Sequence, residues 1–229
     1  MTPKILLLED DANLAFVLQE HLESEGFTVT LKTNGEDGLS EAAKQRFDLC
    51  LVDVMMPKKD GFSFVKEFRK GDRETPAIFL TAKALKEDKV EGFTVGGDDY
   101  VTKPFSMEEL MLRIRAVLRR SGTAQSKETG TVPLGRFLFD ANRQVLLFNK
   151  RKKKLTATEA QVLGILYGKR NETVERGEIL KAIWGNDSYF NGRSLDVFVS
   201  KLRKALSADS AIEIKSVHGK GYRLVIGKQ

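Results

Sequence analysis

The sequence predicts two domains: a five-stranded parallel α/β sheet doubly wound by helices, then a smaller domain of short strands, three helices and a terminal hairpin. Three observations carry this. Short apolar runs alternate with longer amphipathic stretches over roughly the first half of the chain. A small, polar, turn-rich segment without apolar period, Ser121 to Pro133, interrupts that pattern. Charge changes sign across it. Residues 1–121 hold 18 Lys and Arg against 22 Asp and Glu, a balance of −4, and residues 122–229 hold 20 against 10, a balance of +10. The expected boundaries are 1–121, a linker over 122–133, and 134–229.

The apolar runs of the first half, Lys4–Glu9, Phe27–Leu31, Asp48–Asp53, Ala77–Thr81 and Tyr100–Thr102, read as strands. Between the first two, Leu14, Val17, Leu18 and Leu22 recur at helical spacing and Gly26 is a C-terminal stop. The last helix starts at Ser106, where Glu109 three residues on completes a capping box, and carries Met107, Leu110, Leu112, Ile114, Val117 and Leu118. Strict alternation of strand and helix implies a parallel sheet covered on both faces.

In the second half "RFLFD" and "QVLLFN" flank a turn at Ala141-Asn142. "LTATEAQVLGILYGK" is a helix capped by Thr156 and Glu159, and "ERGEILKAIW" and "GRSLDVFVSKLRKALS" are two more. "IEIKSVHGKGYRLVI" is a hairpin with glycines at its tip. That order is the order of a winged helix. The run "KRKKK", Lys150 to Lys154, falls in the opening hairpin of this half, away from the third helix, and reads as a solvated turn, with DNA contact the alternative.

Composition narrows the function. Hydrophobic content of 41% and charged content of 31% are those of a soluble globular protein. The apolar runs are too short to span a bilayer, and no secretion signal opens the chain. The lone Cys50 excludes an intrachain disulfide and a cysteine zinc cluster, and His21 and His218 cannot build a multi-histidine site. The expected setting is the cytoplasm. A basic half of +10 points to a polyanion, with nucleic acid the first candidate.

Parallel sheets gather functional groups at the carboxyl ends of their strands. Glu9, Asp10 and Asp11 end the first strand, Asp53 the third and Thr81 the fourth, and Lys103 follows the fifth. Each alone is an ordinary cap, strand end or turn; together they describe one crevice. Clustered carboxylates repel unless a cation neutralises them, and hard oxygen ligands suit Mg²⁺. A carboxylate there can attack phosphorus, with Lys103 pairing to the phosphoryl oxygens and Thr81 donating a hydrogen bond.

The combination of "LLLEDD", "LVDVMMPKKDGF", "FLTA" and "GGDDYVTKPF" resembles the receiver domain of bacterial two-component response regulators, a flavodoxin-like fold. The resemblance implies that Asp53 is phosphorylated by a sensor histidine kinase, and that Glu9, Asp10, Asp53 and the Met55 backbone carbonyl hold Mg²⁺. It implies that Thr81 and Tyr100 are a switch pair whose ring moves inward, and that Lys103 precedes a cis Pro104. Met55 and Lys83 would flank the route of the hydrolytic water. Lys89, Asp98, Asp99, Glu109, Arg113 and Arg115 correspond to residues that form salt bridges between two receivers after phosphorylation. The local reading is an in-chain Glu109–Arg113 pair one helical turn apart.

In "RSLDVFVSKLRKAL" Leu195, Val199, Leu202 and Leu206 make one apolar stripe, and Arg193, Val197, Ser200, Lys201 and Lys204 lie opposite. Cations contact phosphates and guanine in a major groove, and a small apolar side chain meets a thymine methyl. Together with "LTATEAQVL", "GEILKAIW" and "VHGKGYRL", this helix resembles the winged-helix effector domain of OmpR/PhoB-type regulators. The resemblance implies a recognition helix carrying those residues and Arg203, a wing with His218 and Lys220, and tandem half-sites on double-stranded DNA. It also implies a loop, "WGNDSYFNGR", that meets RNA polymerase. Phe198 would pack at the helix flank.

The expected function is that of a response regulator, not an enzyme, which dimerises on phosphorylation to control transcription. The alternative is a constitutive DNA-binding regulator whose first domain only dimerises. A phosphohydrolase is disfavoured, because Met55 stands where such a site needs a second carboxylate.

Overall fold

The computed structural model describes residues 2–82, 86–122, 131–149, 151–185 and 189–227, with side chains left out at 86–90, 120–122 and 189–194. The chain makes two compact units, Met1–Ser121 and Gly122–Gln229.

The first unit is a parallel sheet of β1 (Lys4–Leu8), β2 (Thr28–Lys32), β3 (Leu49–Asp53), β4 (Ala77–Thr81) and β5 (Asp99–Thr102). Its order is β2-β1-β3-β4-β5. The helices are α1 (Ala12–Ser24), α2 (Gly35–Ala42), α3 (Gly61–Gly71), α4 (Lys86–Val95) and α5 (Met107–Gly122). Successive strand residues point to opposite faces. Ile5, Leu7, Leu49, Leu51, Ile78 and Leu80 therefore pack with Leu18 and Leu22 of α1 and Leu110, Ile114 and Val117 of α5. On the other face Phe79 meets Phe62 of α3 edge-to-face at 5.1 Å. Each fully buried Leu or Ile contributes roughly 1.5–3 kcal/mol.

Helix caps aim the chain at the carboxyl ends of the strands. Asp11 Oδ1 accepts from the amides of Asn13 and Leu14, and Asp60 Oδ1 from that of Ser63. Gly61 lets α3 start against β3, since a Cβ there would stand 2.2 Å from the Asp53 carbonyl oxygen. The capping box at Ser106 has one side only. Ser106 Oγ accepts from the Glu109 amide, and the Glu109 carboxylate turns to Arg113.

The second unit opens with an antiparallel sheet, β6 (Val132–Leu134), β7 (Phe137–Asp140), β8 (Val145–Phe148) and β9 (Arg151–Lys154). Val132 and Pro133, expected in the linker, already belong to β6. Residues 123–130 lie outside the described residues. The basic run is a strand and not a turn. Arg151–Lys154 pair with β8 as an exposed edge, where charge discourages pairing with another chain; Lys150 lies outside the described residues.

Helices α6 (Ala157–Gly168), α7 (Arg176–Trp184) and α8 (Tyr189–Leu206) follow, with a sheet of β10 (Val174–Glu175), β12 (Gly221–Ile226) and β11 (Ile212–Val217). The Thr156–Glu159 capping box is complete. The expected loop "WGNDSYFNGR" is shorter than its sequence suggests. Trp184 closes α7 with Gly185 at φ 77°, and α8 already begins at Tyr189. Gly192 is tolerated within that helix, and residues 186–188 lie outside the described residues.

Candidate functional site

The ends of β1, β3, β4 and β5 meet in one acidic pocket. Lys103 Nζ lies 2.8 Å from Asp53 Oδ2 and 2.8 Å from Glu9 Oε2. Glu9 is 0% exposed and Asp53 5%; Asp10 is open to solvent. Carboxylate oxygens of Glu9, Asp10 and Asp53 lie within 4.8 Å of one another. This all-oxygen, anionic donor set fits a small hard divalent cation.

Backbone groups hold the pocket open toward that position. Asp53 Oδ1 accepts from the Met55 amide at 3.2 Å, and Glu9 Oε1 from the Asp11 amide at 3.3 Å. The Lys103 amide donates to the Thr81 carbonyl at 2.7 Å, and the Lys103–Pro104 peptide is cis. Burial pushes the Glu9 carboxyl up to about 7, Lys103 pulls it down, and the Asp53 charge raises it further. Burial opposes the charge on Lys103, but its hydrogen bonds to Asp53 and Glu9 prevail and hold its pKa above the usual lysine value.

Thr81 is fully buried at the end of β4. The Tyr100 ring is already inside, 7% exposed, with centroids 6.0 Å from Phe79 and 6.3 Å from Phe93. Met55 is 54% exposed at the pocket's rim. Lys83 lies outside the described residues, as does the Lys89 side chain.

The charges expected between two receivers find partners within the chain. Arg113 reaches Asp99 Oδ1 at 3.2 Å and Glu109 Oε1 at 3.0 Å, and Arg115 pairs with Glu25. Asp98 is a correction. It is 1% exposed and accepts from Arg69 NH2 at 3.0 Å and from the Ala77 amide at 3.1 Å, so it cannot contribute to a surface contact.

In the second unit Ser200, Arg203 and Lys204 lie on the exposed face of α8, together with Asp196. Arg203 crosses to β11, donating to the Ile214 carbonyl and Ser216 Oγ. Val197 is half-buried. Lys201 does not lie opposite the apolar stripe. It stands 3.8 Å from Glu159 and 5.8 Å from the centre of the Phe198 ring. Phe198, expected at the flank, is 0% exposed and with Ala205 widens the buried arc toward Lys201. The Arg193 side chain lies outside the described residues. His218 and Lys220 are exposed at the hairpin tip, around Gly219 at φ 69°.

One group escaped sequence reasoning. Arg176, Asp196 and Tyr222 form a hydrogen-bonded ring joining α7, α8 and β12. Only Asp196 carried a signal, as an anion on the exposed face of a cationic helix, and its partners lie too far along the chain to be read locally.

The family described as response regulator receiver domain matches residues 5–115, and that described as transcriptional regulatory protein, C terminal, matches 150–224. The chain is 50% identical over 222 residues to the transcriptional regulatory protein RprY of Bacteroides fragilis, covering 97% of this chain and 94% of that one. A solved RitR mutant superposes with TM-score 0.79 at 26% identity, over 98% of this chain and 100% of its own. The response regulator DrrB of Thermotoga maritima, described as an OmpR/PhoB homolog, does so with TM-score 0.53 at 28% identity, over 98% and 100%. Among the described residues no helix is long and apolar enough to cross a membrane.

Proposed function

The chain belongs to the OmpR/PhoB-type response regulators, a receiver domain followed by a DNA-binding domain, and from that premise we propose that Asp53 accepts a phosphoryl group from a sensor histidine kinase. The observation that carries the reading is Lys103 Nζ set 2.8 Å from both Asp53 and Glu9, one cation among three carboxylates.

Asp53 is the nucleophile, and a carboxylate attacks without a general base. Its oxygen bonds to phosphorus as the P–N bond of the donor phosphohistidine breaks; the imidazole nitrogen keeps that electron pair and takes a proton from water. Lys103 turns from the carboxylates to the new phosphoryl oxygens, and the Thr81 hydroxyl donates to another. Glu9, Asp10, Asp53 and the Met55 carbonyl would hold Mg²⁺, which would supply charge neutralisation at the phosphoryl group. With Thr81 engaged, the Tyr100 ring is held inward.

In the phosphorylated protein Arg113, Glu109 and Asp99 exchange in-chain partners for those of a second copy, where Lys89 meets Glu109 and Asp99 meets Arg113. Glu109 is half-exposed, so its pair with Arg113 is worth only about 0–1 kcal/mol and is cheap to exchange, whereas Asp99 lies buried beneath Arg113. The dimer sets two recognition helices on tandem half-sites in the cytoplasm, Arg193, Val197, Ser200, Arg203 and Lys204 facing the major groove and His218 and Lys220 the wing contact. RNA polymerase meets the segment from Trp184 to Arg193.

The test is fluorescence anisotropy with a duplex selected from a random pool by the phosphodonor-treated protein. Acetyl phosphate with Mg²⁺ is expected to tighten wild-type binding about tenfold or more and to leave Asp53→Asn unchanged. Equal affinity in both states would instead favour the constitutive regulator.

A further inference from the structure

Beside the bonds of Arg203 to β11, the hairpin tip is held to its domain at β10 and the start of α7. The Arg176 amide donates to the Lys220 carbonyl at 3.0 Å. Gly221 lies so close to β10 that a Cβ would stand 2.0 Å from the Val174 carbonyl oxygen. One residue on, the Tyr222 hydroxyl donates to Asp196 Oδ1 and accepts from Arg176 NH1 at 3.0 Å. Arg176 closes the ring with two parallel bonds to Asp196, NH1 to Oδ1 at 2.8 Å and NH2 to Oδ2 at 2.9 Å. Three elements therefore meet through three side chains: the start of α7, the middle of α8 and the second residue of β12.

The setting explains why an acid belongs there. Asp196 shares the exposed face of α8 with Ser200, Arg203 and Lys204. A bare carboxylate on that face would repel phosphate. The bidentate Arg176 cancels its charge and fixes its direction, as a planar guanidinium does and an ammonium cannot. Burial, then the bond to Asp196, raises the Tyr222 phenol, which keeps its proton available for donation. The side chains of Arg176 and Asp196 are 36% and 53% exposed. A pair so exposed adds little to folding stability, which leaves geometry as its use.

We propose that Arg176, Asp196 and Tyr222 are positioning residues for DNA binding: the ring they form sets the wing at the angle to α8 at which both engage one duplex. The inference rests on the DNA-binding reading of α8 and the wing. Lys220 stands exposed at the hairpin tip and Asp196 on α8, so coupling between them reports whether the ring sets the wing's position. Loss of the ring releases the wing, and Lys220 then ceases to matter for binding. Arg176→Lys keeps the charge and loses the two parallel bonds, so it behaves as a broken ring.

The experiment is a double-mutant cycle on the full chain, with the duplex selected from a random pool as probe. Lys220→Ala is expected to weaken wild-type binding about fivefold, a loss of one phosphate contact, and to cost less than about twofold in Asp196→Asn or Arg176→Lys. The melting temperature of Asp196→Asn stays within about 2 °C of wild type. An equal Lys220→Ala effect in both backgrounds overturns the proposal. So does tighter binding by Asp196→Asn with the Lys220 effect intact, which would make Asp196 merely repulsive. Amide hydrogen exchange in the free protein gives a readout that needs no DNA. Exchange at residues 217–222 is expected to rise about tenfold or more in Asp196→Asn while α6 stays protected, and unchanged exchange overturns the proposal. If no duplex is selected, the DNA-binding reading fails and exchange alone decides whether the ring holds the wing.

Discussion

Among the described residues of the receiver, cations meet buried carboxylates at opposite ends of one sheet, Arg69 at one and Lys103 at the other, and the two ends differ in what is left over. At the amino end of β4, Arg69 donates from Nε to the Gly96 carbonyl, from NH1 to those of Asp72 and Thr75, and from NH2 to Asp98. Asp98 also takes the Ala77 amide. One cation meets one anion, and all three guanidinium nitrogens donate. At the carboxyl end, Lys103 faces Glu9 and Asp53 with Asp10 alongside. That end carries an excess of negative charge beside an opening to solvent. Burial and pairing alone do not mark a functional site. The leftover charge does, because only the second end gains from a further cation.

The largest expected effect comes from breaking the closed pair. Arg69→Met leaves Asp98 buried without its cation, and a loss of about 3–5 kcal/mol is expected. Cys50 reports it. The thiol is fully buried in β3 and pushed up to about 12 by that burial, so native protein resists alkylation and urea-pulse labelling follows receiver unfolding. The midpoint moves to lower urea, and Mg²⁺ does not restore it.

Lys103→Met should cost less, about 1–3 kcal/mol at pH 8, by leaving three carboxylates without their ammonium. Millimolar Mg²⁺ restores this variant by the same assay. A Lys103→Met loss that Mg²⁺ cannot repair would erase the distinction between the two ends.

A smaller effect follows from Glu9. Its carboxyl is raised from 4.5 to about 7, first by burial. Between those values the folded state binds more proton than the unfolded one, so stability falls as pH rises. The contribution is full below about 4.5 and gone above about 7. Urea midpoints without Mg²⁺ should decline across that window in wild type and decline less in Glu9→Gln. The smallest effect is Glu109→Gln, which removes a pair one helical turn long and costs about 0.3–0.5 kcal/mol, because Arg113 retains Asp99.

The contrast explains what the sequence could disclose. Groups of the carboxyl end were readable because parallel strands present their last residues at one edge, so Glu9, Asp53, Thr81 and Lys103 follow from strand endings alone. Arg69 was not. It sits in the last turn of α3, where a cation is ordinary, and its partners come from residues 72, 75, 96 and 98. Asp98 and Asp99 are neighbours in sequence with opposite fates: Asp98, at the bend before β5, turns to Arg69, and Asp99, the first residue of β5, to Arg113. In the second domain, helical periodicity located α8. Its buried face was drawn too narrow because Phe198 and Ala205 extend it toward Lys201. The Arg176–Asp196–Tyr222 ring joins residues 20 and 26 apart along the chain, beyond any local pattern.

The most direct measurement is intact mass after incubation with acetyl phosphate, with Mg²⁺ or EDTA, for wild type and Asp53→Asn. One phosphoryl adduct that requires both Mg²⁺ and Asp53 is the expected result. An adduct that persists in Asp53→Asn or in EDTA would place the reactive group elsewhere and contradict the account.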